Sequence, residues 1–458
     1  MGLETKARTG TSPYDSDFRD VQVKLNIYFN EDTPLEITGD NYLVSLSLLE
    51  ELSDTSSGLY GSLIANELSF SLYNKDAIFN PANVSGPYYG KIETKVKVQV
   101  YIREALTQST YQCLGTYYVT DWKCNQGSSV ADVVCHDLMY SVLKGTSKSI
   151  PLEYDVSLGD FLARLFTYLG LQSNQYVIEE SLYSKIIPYA YIVSGKVIDT
   201  LEELMKAYMF YIYVDRDGVL QTKKIKYTGL VTAELDSDTQ IISSSVGRSL
   251  LGSYSAVSVE ASTLEVAEDL TLLSITEELT AGENTILDSN RDTITLDVDY
   301  VLCESNNDTV SVSGIAFDSN NIELTLNNNS NISASTRITV IGKGMRTGLK
   351  TAYRKVNPTL ANRIGESTLE VNGPFITTKE IANGMISHLY AYISNPSPII
   401  QLSTRGNPEI MLGDIVHIND ASASLDSVAM VLRQEFTYNG GFSCSIDCID
   451  VATLGEVS

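Results

Sequence analysis

LYGSLIANELSFSLYNKDAIFNPANVSGPYYGKIETKVKVQVYIR, residues 59–103, decides how the chain is read. Leu68, Phe70 and Leu72 point one way while Glu67, Ser69, Ser71 and Tyr73 point the other, the period of a strand with one wet face. A connection over residues 74–90 follows, with Asn, Pro and Gly where a chain must turn. Residues 91–103 alternate again, with Ile92, Val96, Val98, Val100 and Ile102 opposite Lys95, Lys97 and Gln99. Two half-wet strands joined by a long ordered excursion are a unit of antiparallel sheet.

Outward from this stretch, residues 21–29, 42–52 and 111–123 read as further strands, the last with a bulge at Gly115. A turn cluster at 54–58 separates 42–52 from the opening stretch, and residues 1–17, rich in Thr, Ser and Gly, read as a flexible arm. Residues 18–128 therefore read as one domain, a small β-barrel or sandwich. From 130 the period changes. Val133, Val134, Asp137, Leu138 and Leu143 fit a helix face. A second helix opens at Ser157, with Asp160 in a capping position, and stops at Gly170. A third, from Val197 to Met209, runs into a hairpin turning at Asp217-Gly218. Residues 129–252 are thus a helical and helix-hairpin α+β domain.

Residues 253–345 read as an acidic inserted β module with its flanking strands. Residues 260–345 hold 15 acidic and 3 basic side chains, so they carry −12 of the chain's −25. We expect strands at 292–302, 309–317 and 321–326, a loop tip at 327–331, and pairing of 254–259 with 335–341. Residues 346–458 complete the chain as a helix, with Ile381, Met385, Leu389 and Tyr392 on its face, plus a second β-barrel. The expected fold is mainly β (α+β): two small antiparallel β-barrels, a helix-hairpin middle domain and an inserted all-β module.

The phrases NELSFSLYN, FNPANVSGPYYG and the basic-flanked Val/Ile strand after them resemble the N-terminal barrel of bacteriophage tail hub proteins, the central baseplate or tail-tip component. LGTYYVTDWKC with HDLMYSVL, the helix-hairpin IDTLEELMKAYMFYIYVDRDGVLQTKKI, and GNP followed by LGDIVHI extend the resemblance over roughly 60–250 and 372–450. The acidic insertion resembles the family least. The resemblance implies a structural virion protein at the distal end of a phage tail, assembled in the host cytoplasm. It implies a homotrimer around the DNA channel, between the tail tube or distal tail protein and a central spike or fibre, with the tape measure protein as a further neighbour.

Composition bounds the alternatives. With 458 residues the chain exceeds one core, and about three domains are expected. The residues 1–10 have no apolar leader region, and no apolar run reaches the roughly 18 residues that span a bilayer, so no membrane insertion is expected. An excess of 57 acidic over 32 basic residues argues against a specific nucleic-acid grip, and an acidic lining would let DNA slide through a conduit. Solubility is the plainer reason for the charge. Cys113, Cys124, Cys135, Cys303, Cys444 and Cys448 lack a CxxC spacing and read as small buried hydrophobes in a chain made under reducing conditions.

Catalytic patterns are weak. His136 sits beside Cys135 and Asp137, yet helix neighbours point about 100° apart and form no dyad. His388 and His417 make no metal motif. Ser141 and Lys144 match SxxK without its partner motifs, and GKGMRTGLKT at 342–351 has the wrong spacing for a phosphate loop and reads as a connector. Asp215 and Asp217 lack the repeated ligands of a calcium loop. No catalytic, cofactor-binding or metal-ligating residue is assigned, no cofactor is expected, and the chain is expected not to be an enzyme. A receptor-binding protein using the acidic insertion as its head, or a tail-associated cell-wall-degrading protein, is the alternative. The 28 tyrosines include Tyr88-Tyr89, Tyr117-Tyr118 and a 208–213 cluster, which are either subunit contacts or half-buried strand aromatics.

Overall fold

The computed structural model describes residues 12–451 except 17, 30–32, 53–61, 125–128, 145–147, 149, 194–195, 225–229, 239, 248–253, 289–293, 306–308, 320 and 395–398. The turn expected at 54–58 and the first eleven residues lie outside the described residues. The chain is mainly β, 53% strand and 16% helix, in several antiparallel sheets.

The N-terminal strands are β1 (Val21–Tyr28), β2 (Leu35–Thr38), β3 (Leu43–Glu51), β4 (Glu67–Tyr73), β5 (Lys97–Glu104), β6 (Gln112–Cys124) and β7 (Val130–His136). Their spatial order is β2-β1-β5-β6-β7-β4-β3. Alternation works as expected in β4, where Leu68, Phe70 and Leu72 are buried. The β5 strand starts later than the sequence suggests, at Lys97, because Lys95 takes a left-handed backbone conformation. A bulge at Leu114-Gly115 breaks the β5–β6 register.

The helix expected from Val133 is a correction. Residues 130–136 form β7, between β4 and β6, with Ala131, Val133 and Cys135 buried. Helix α1 (Leu138–Leu143) starts only where Asp137 caps it, accepting from the Met139 N–H. Nor are residues 12–16 a frayed arm: Ser12 caps a 3-10 turn, and Tyr14 is buried with its hydroxyl donating to Gln108.

The middle region comprises β8 (Glu153–Ser157), α2 (Leu158–Tyr168), β9 (Tyr176–Val177), α3 (Glu180–Tyr183), β10 (Ile186–Ala190), α4 (Val197–Tyr208), β11 (Phe210–Val214) and β12 (Leu220–Lys224). Ser157 Oγ accepts from the Asp160 N–H, so the expected cap of α2 is present. Gly218 turns the hairpin at φ 80°, a conformation that glycine adopts without strain. The β11 strand is buried on both faces. Phe210, Ile212 and Val214 join a helical core with α2 and α4, while Tyr211 joins the core of the large sheet.

Strands β13 (Ala233–Asp236) and β14 (Ile241–Gly247) precede the insertion. Two very long strands, β15 (Ala256–Leu279) and β20 (Ala334–Val356), then form an antiparallel ribbon, with β16 (Gly282–Asp288), β17 (Ile294–Ser305), β18 (Val310–Phe317) and β19 (Ile322–Asn328) at its far end. Residues 254–259 were expected to pair with 335–341. Instead Ala256 to Val259 pair with Val356 to Tyr353, and 335–341 pair with 271–278, because both strands run on through the ribbon. The supposed connector 342–351 is likewise strand. Gly342 and Gly344 sit where the β17 backbone approaches closely: a Cβ on Gly342 would stand 2.2 Å from the Asp297 carbonyl oxygen.

The chain ends with α5 (Pro358–Ile364), β21 (Thr368–Val371), α6 (Lys379–Ser394), β22 (Ile399–Thr404), β23 (Ile415–Asp420), β24 (Leu425–Tyr438) and β25 (Phe442–Asp450). Helix α6 buries Met385, as expected, together with Ala382, Ile386, His388 and Ile393. The C-terminal strands run β13-β23-β24-β25-β22-β14. The first half of β24 pairs with β23, and its second half with β3, so the N- and C-terminal strands form one 13-stranded sheet over a shared core. The Ser244 hydroxyl, donating to Asp420 at 2.6 Å, links β14 to the end of β23 without a ladder between them.

Candidate functional site, the joint between the sheets

The most elaborate polar site among the described residues is a buried joint where four segments meet. Arg216, in the β11–β12 turn, reaches Glu50 on β3 through two parallel bonds, Nε to Oε1 at 2.8 Å and Nη2 to Oε2 at 2.8 Å. Its guanidinium also donates to the carbonyls of Pro408 and Ile410, while the Gln434 amide on β24 donates to Glu50 and to Ile410 O. The side chains of Arg216 and Glu50 keep only 11% and 6% of their exposure. The planar fork of an arginine matches a carboxylate bidentately, and two more of its donors are used here by backbone carbonyls. A buried charge pair needs this degree of saturation to offset its desolvation.

A second buried cluster lies beside it. Asn66 accepts from the Glu51 N–H and donates to Val214 O, while the Asn66 N–H donates to Asp137. Burial pushes the Asp137 carboxyl up to about 7, against the lowering effect of the Asn66 and Met139 N–H donors. At the N-terminus, Arg19 donates to the carbonyls of Arg405 and Gly406, tying the start of the chain to the C-terminal strands. These contacts fix orientation between segments; they offer no nucleophile and no open coordination position.

The remaining sequence candidates fall apart in space. Among the described residues no group of three His, Cys, Asp or Glu side chains could hold a metal ion. His136 faces away from Cys135 on its strand, meets Thr120 through Nδ1 at 3.0 Å and stacks on Tyr140. His388 is buried in α6, and burial with the nearby Lys224 lowers its pKa to about 4. His417 pairs with Asp426 at 2.8 Å. Lys144 rests on the Tyr140 ring, Ser141 is exposed, and the Asp215 carboxylate is taken up by Asp217 N, Val219 N and the Gln221 amide. All six cysteines are free, with Cys135, Cys444 and Cys448 buried and their thiols pushed up by that burial. No helix among the described residues is long and apolar enough to cross a membrane.

Two sheet faces are open. The outer face of β3, β4, β7 and β24 holds a shallow groove of about 330 Å³ lined by Ser45, Ser47, Ser69, Ser71 and Asp132. On the outer face of β1 and β5, Lys24 and Arg103 sit over Tyr111, and Lys97 over Tyr28. Tyr88 is packed between Phe29 and Phe79, and Tyr117 and Tyr211 are buried, so these three belong to the cores, whereas Tyr89 is exposed.

No family model matches the chain, and neither does any curated protein sequence. Solved structures do. The tail protein from Neisseria meningitidis MC58 matches over 95% of this chain and 98% of its own, with a TM-score of 0.56 and 11% identity. The 43 kDa tail protein of prophage MuSo2 from Shewanella oneidensis matches over 95% and 100%, with a TM-score of 0.55 and 12% identity. Over 95% of its length the chain therefore has the fold of these two tail proteins.

Proposed function

We propose that the chain is the structural hub of a phage tail, a non-enzymatic virion protein at its distal end. The observation that carries the reading is the whole-length fold match to two tail proteins, covering both the terminal strands and the insertion. In this reading the seven N-terminal and six C-terminal strands act as two barrel-like units per chain. Three chains then present six similar units, and a three-fold ring can meet a six-fold tube on one side and a three-fold spike or fibre on the other. The buried Glu50–Arg216 joint supports this, because a ring of fixed geometry needs its two units locked at one angle. The partners are the tail tube or distal tail protein, the spike or fibre, and the tape measure protein. The trimer carries three times −25, and acidic side chains line its DNA channel.

Light scattering after size exclusion, on the purified chain at low micromolar concentration, tests the trimer. About 150 kDa, three times 50.2 kDa, is the expected mass. A 50 kDa species that stays monomeric when mixed with its tube and spike neighbours overturns the trimer. A neutral or basic lumen in the assembled ring overturns the acidic channel.

A further inference from the structure

The far end of the ribbon is a small two-sheet sandwich with one corner left open. One sheet is β17-β20-β15 and the other β16-β19-β18. Between them lie Leu272, Leu273, Leu279, Ile338 and Val340 from the ribbon against Ile322, Leu324 and Leu326 from β19. Directly opposite partners in a ladder point to the same face, so Ile315, paired with Leu324, and Phe317, paired with Ile322, face the inside of the sandwich. Leu324 and Ile322 are fully buried, yet Ile315 and Phe317 remain 42% and 41% exposed. β17, the near strand of the covering sheet, touches this region, its Thr295 N–H donating to Ser319 O at 2.9 Å just past β18, but among the described residues no ladder joins the two strands and both side chains stay partly uncovered.

The same strand is an unguarded edge. Among the described residues it forms a ladder only with β19, and its sequence, VSVSGIAF, has no charge and no proline, the devices that usually keep edges from pairing. An added strand would satisfy the outward backbone groups of β18 and lay apolar side chains over Ile315 and Phe317. The surrounding charge selects its composition. Asp318 follows the strand directly, Glu323 is exposed on β19, and Asp297, Asp299 and Glu304 lie on β17. With −12 over residues 260–345, a second copy of this edge would be repelled, whereas a cationic segment would be drawn in.

We infer that the β18 edge of the distal sandwich docks an extended, basic segment of another protein, in which Lys or Arg alternates with β-branched or aromatic residues. The segment adds as a fourth strand to β16-β19-β18 and closes the open corner.

The probe is a fluorescein-labelled ten-residue peptide alternating Lys and Val, titrated against the full chain by anisotropy. Controls are the Glu/Val and Lys/Gly peptides of equal length. The Lys/Val peptide should bind at least ten-fold tighter than either control. Ser313→Pro, which blocks the ladder, and Phe317→Lys, which changes only an exposed side chain, should each weaken it at least ten-fold with unchanged far-UV circular dichroism. The inference is overturned if the Lys/Val peptide does not bind at 1 mM, if Lys/Gly binds equally well, or if Phe317→Lys leaves the affinity unchanged. Self-association that Phe317→Lys abolishes, without peptide binding, makes the occupant a second copy and overturns it too.

Discussion

The joint at Arg216 and the distal sandwich solve opposite problems with different strands of one chain. At the joint, strands from both ends of the chain share one large core, and even the charged groups are buried and satisfied. The sandwich has, among the described residues, a core cluster of eight buried hydrophobic side chains, carries nearly half of the net charge and leaves apolar side chains open. One region is built to hold a single geometry; the other keeps a surface for something else. The contrast shows that burial is spent where segments must stay fixed, while charge and open edges are concentrated where contact with another molecule can be made.

The sharpest way to break this contrast is Arg216→Ala. Removing one partner leaves Glu50 charged and buried, and such losses cost about 3–5 kcal/mol. The urea midpoint followed by fluorescence should drop steeply. A loss under about 1 kcal/mol would mean the joint is solvated and the two halves are not locked.

A cavity in the sandwich tests its independence. Leu324→Ala should cost about 2–4 kcal/mol locally. The single tryptophan, Trp122, belongs to the N-terminal sheet, its indole N–H donating to Phe79 O at 2.9 Å, so it reports on the large sheet alone. The variant should unfold early by circular dichroism while the Trp122 midpoint stays in place. A Trp122 midpoint that falls in step would merge the two regions into one cooperative unit.

A third test concerns acidity in the cluster beside the joint. Asp137 titrates near 7 when folded, against the 3.8 of an ordinary Asp. Between those values the folded state keeps a proton that the unfolded state has released. This contribution is full below about pH 4 and is lost as pH rises through 7. Asp137→Asn, which resembles the protonated acid and can still accept from Met139 N–H, should flatten that part of the stability profile. Identical slopes for the two proteins from pH 4 to 7 would place the Asp137 carboxyl in contact with water.

Alternation made the strands around residues 67–104 readable, because one face of each is core and the other is wet. The β7 strand escaped because Val134 adds an apolar residue to its wet face beside Val133, and the pair imitates a helical stripe. The ribbon escaped for two reasons. Bulges near Leu264, Leu270 and Leu273 break its alternation, and Gly342 and Gly344, needed for close backbone approach, look like a loop. The joint left no local trace: Glu50 and Arg216 are 166 positions apart, and an arginine in an Asp-Arg-Asp-Gly turn looks like solvent-facing chain. The open corner was half readable, since the charge of the insertion is visible in sequence but its uncovered Ile315 and Phe317 are not.

The pairing of β3 with β24 also sets a timetable for synthesis. Residue 51 leaves the ribosome long before residue 438, and at about 5–20 residues per second the interval of 387 residues lasts roughly 20–80 s. For that time the N-terminal sheet has a bare flank where β24 will later sit. Nascent chains on one message stand close together during this window, each with the same vacant flank. Crowded translation is thus the stage at which wrong partners compete with the chain's own C-terminus, and slow production at low temperature should raise the yield of correctly closed protein.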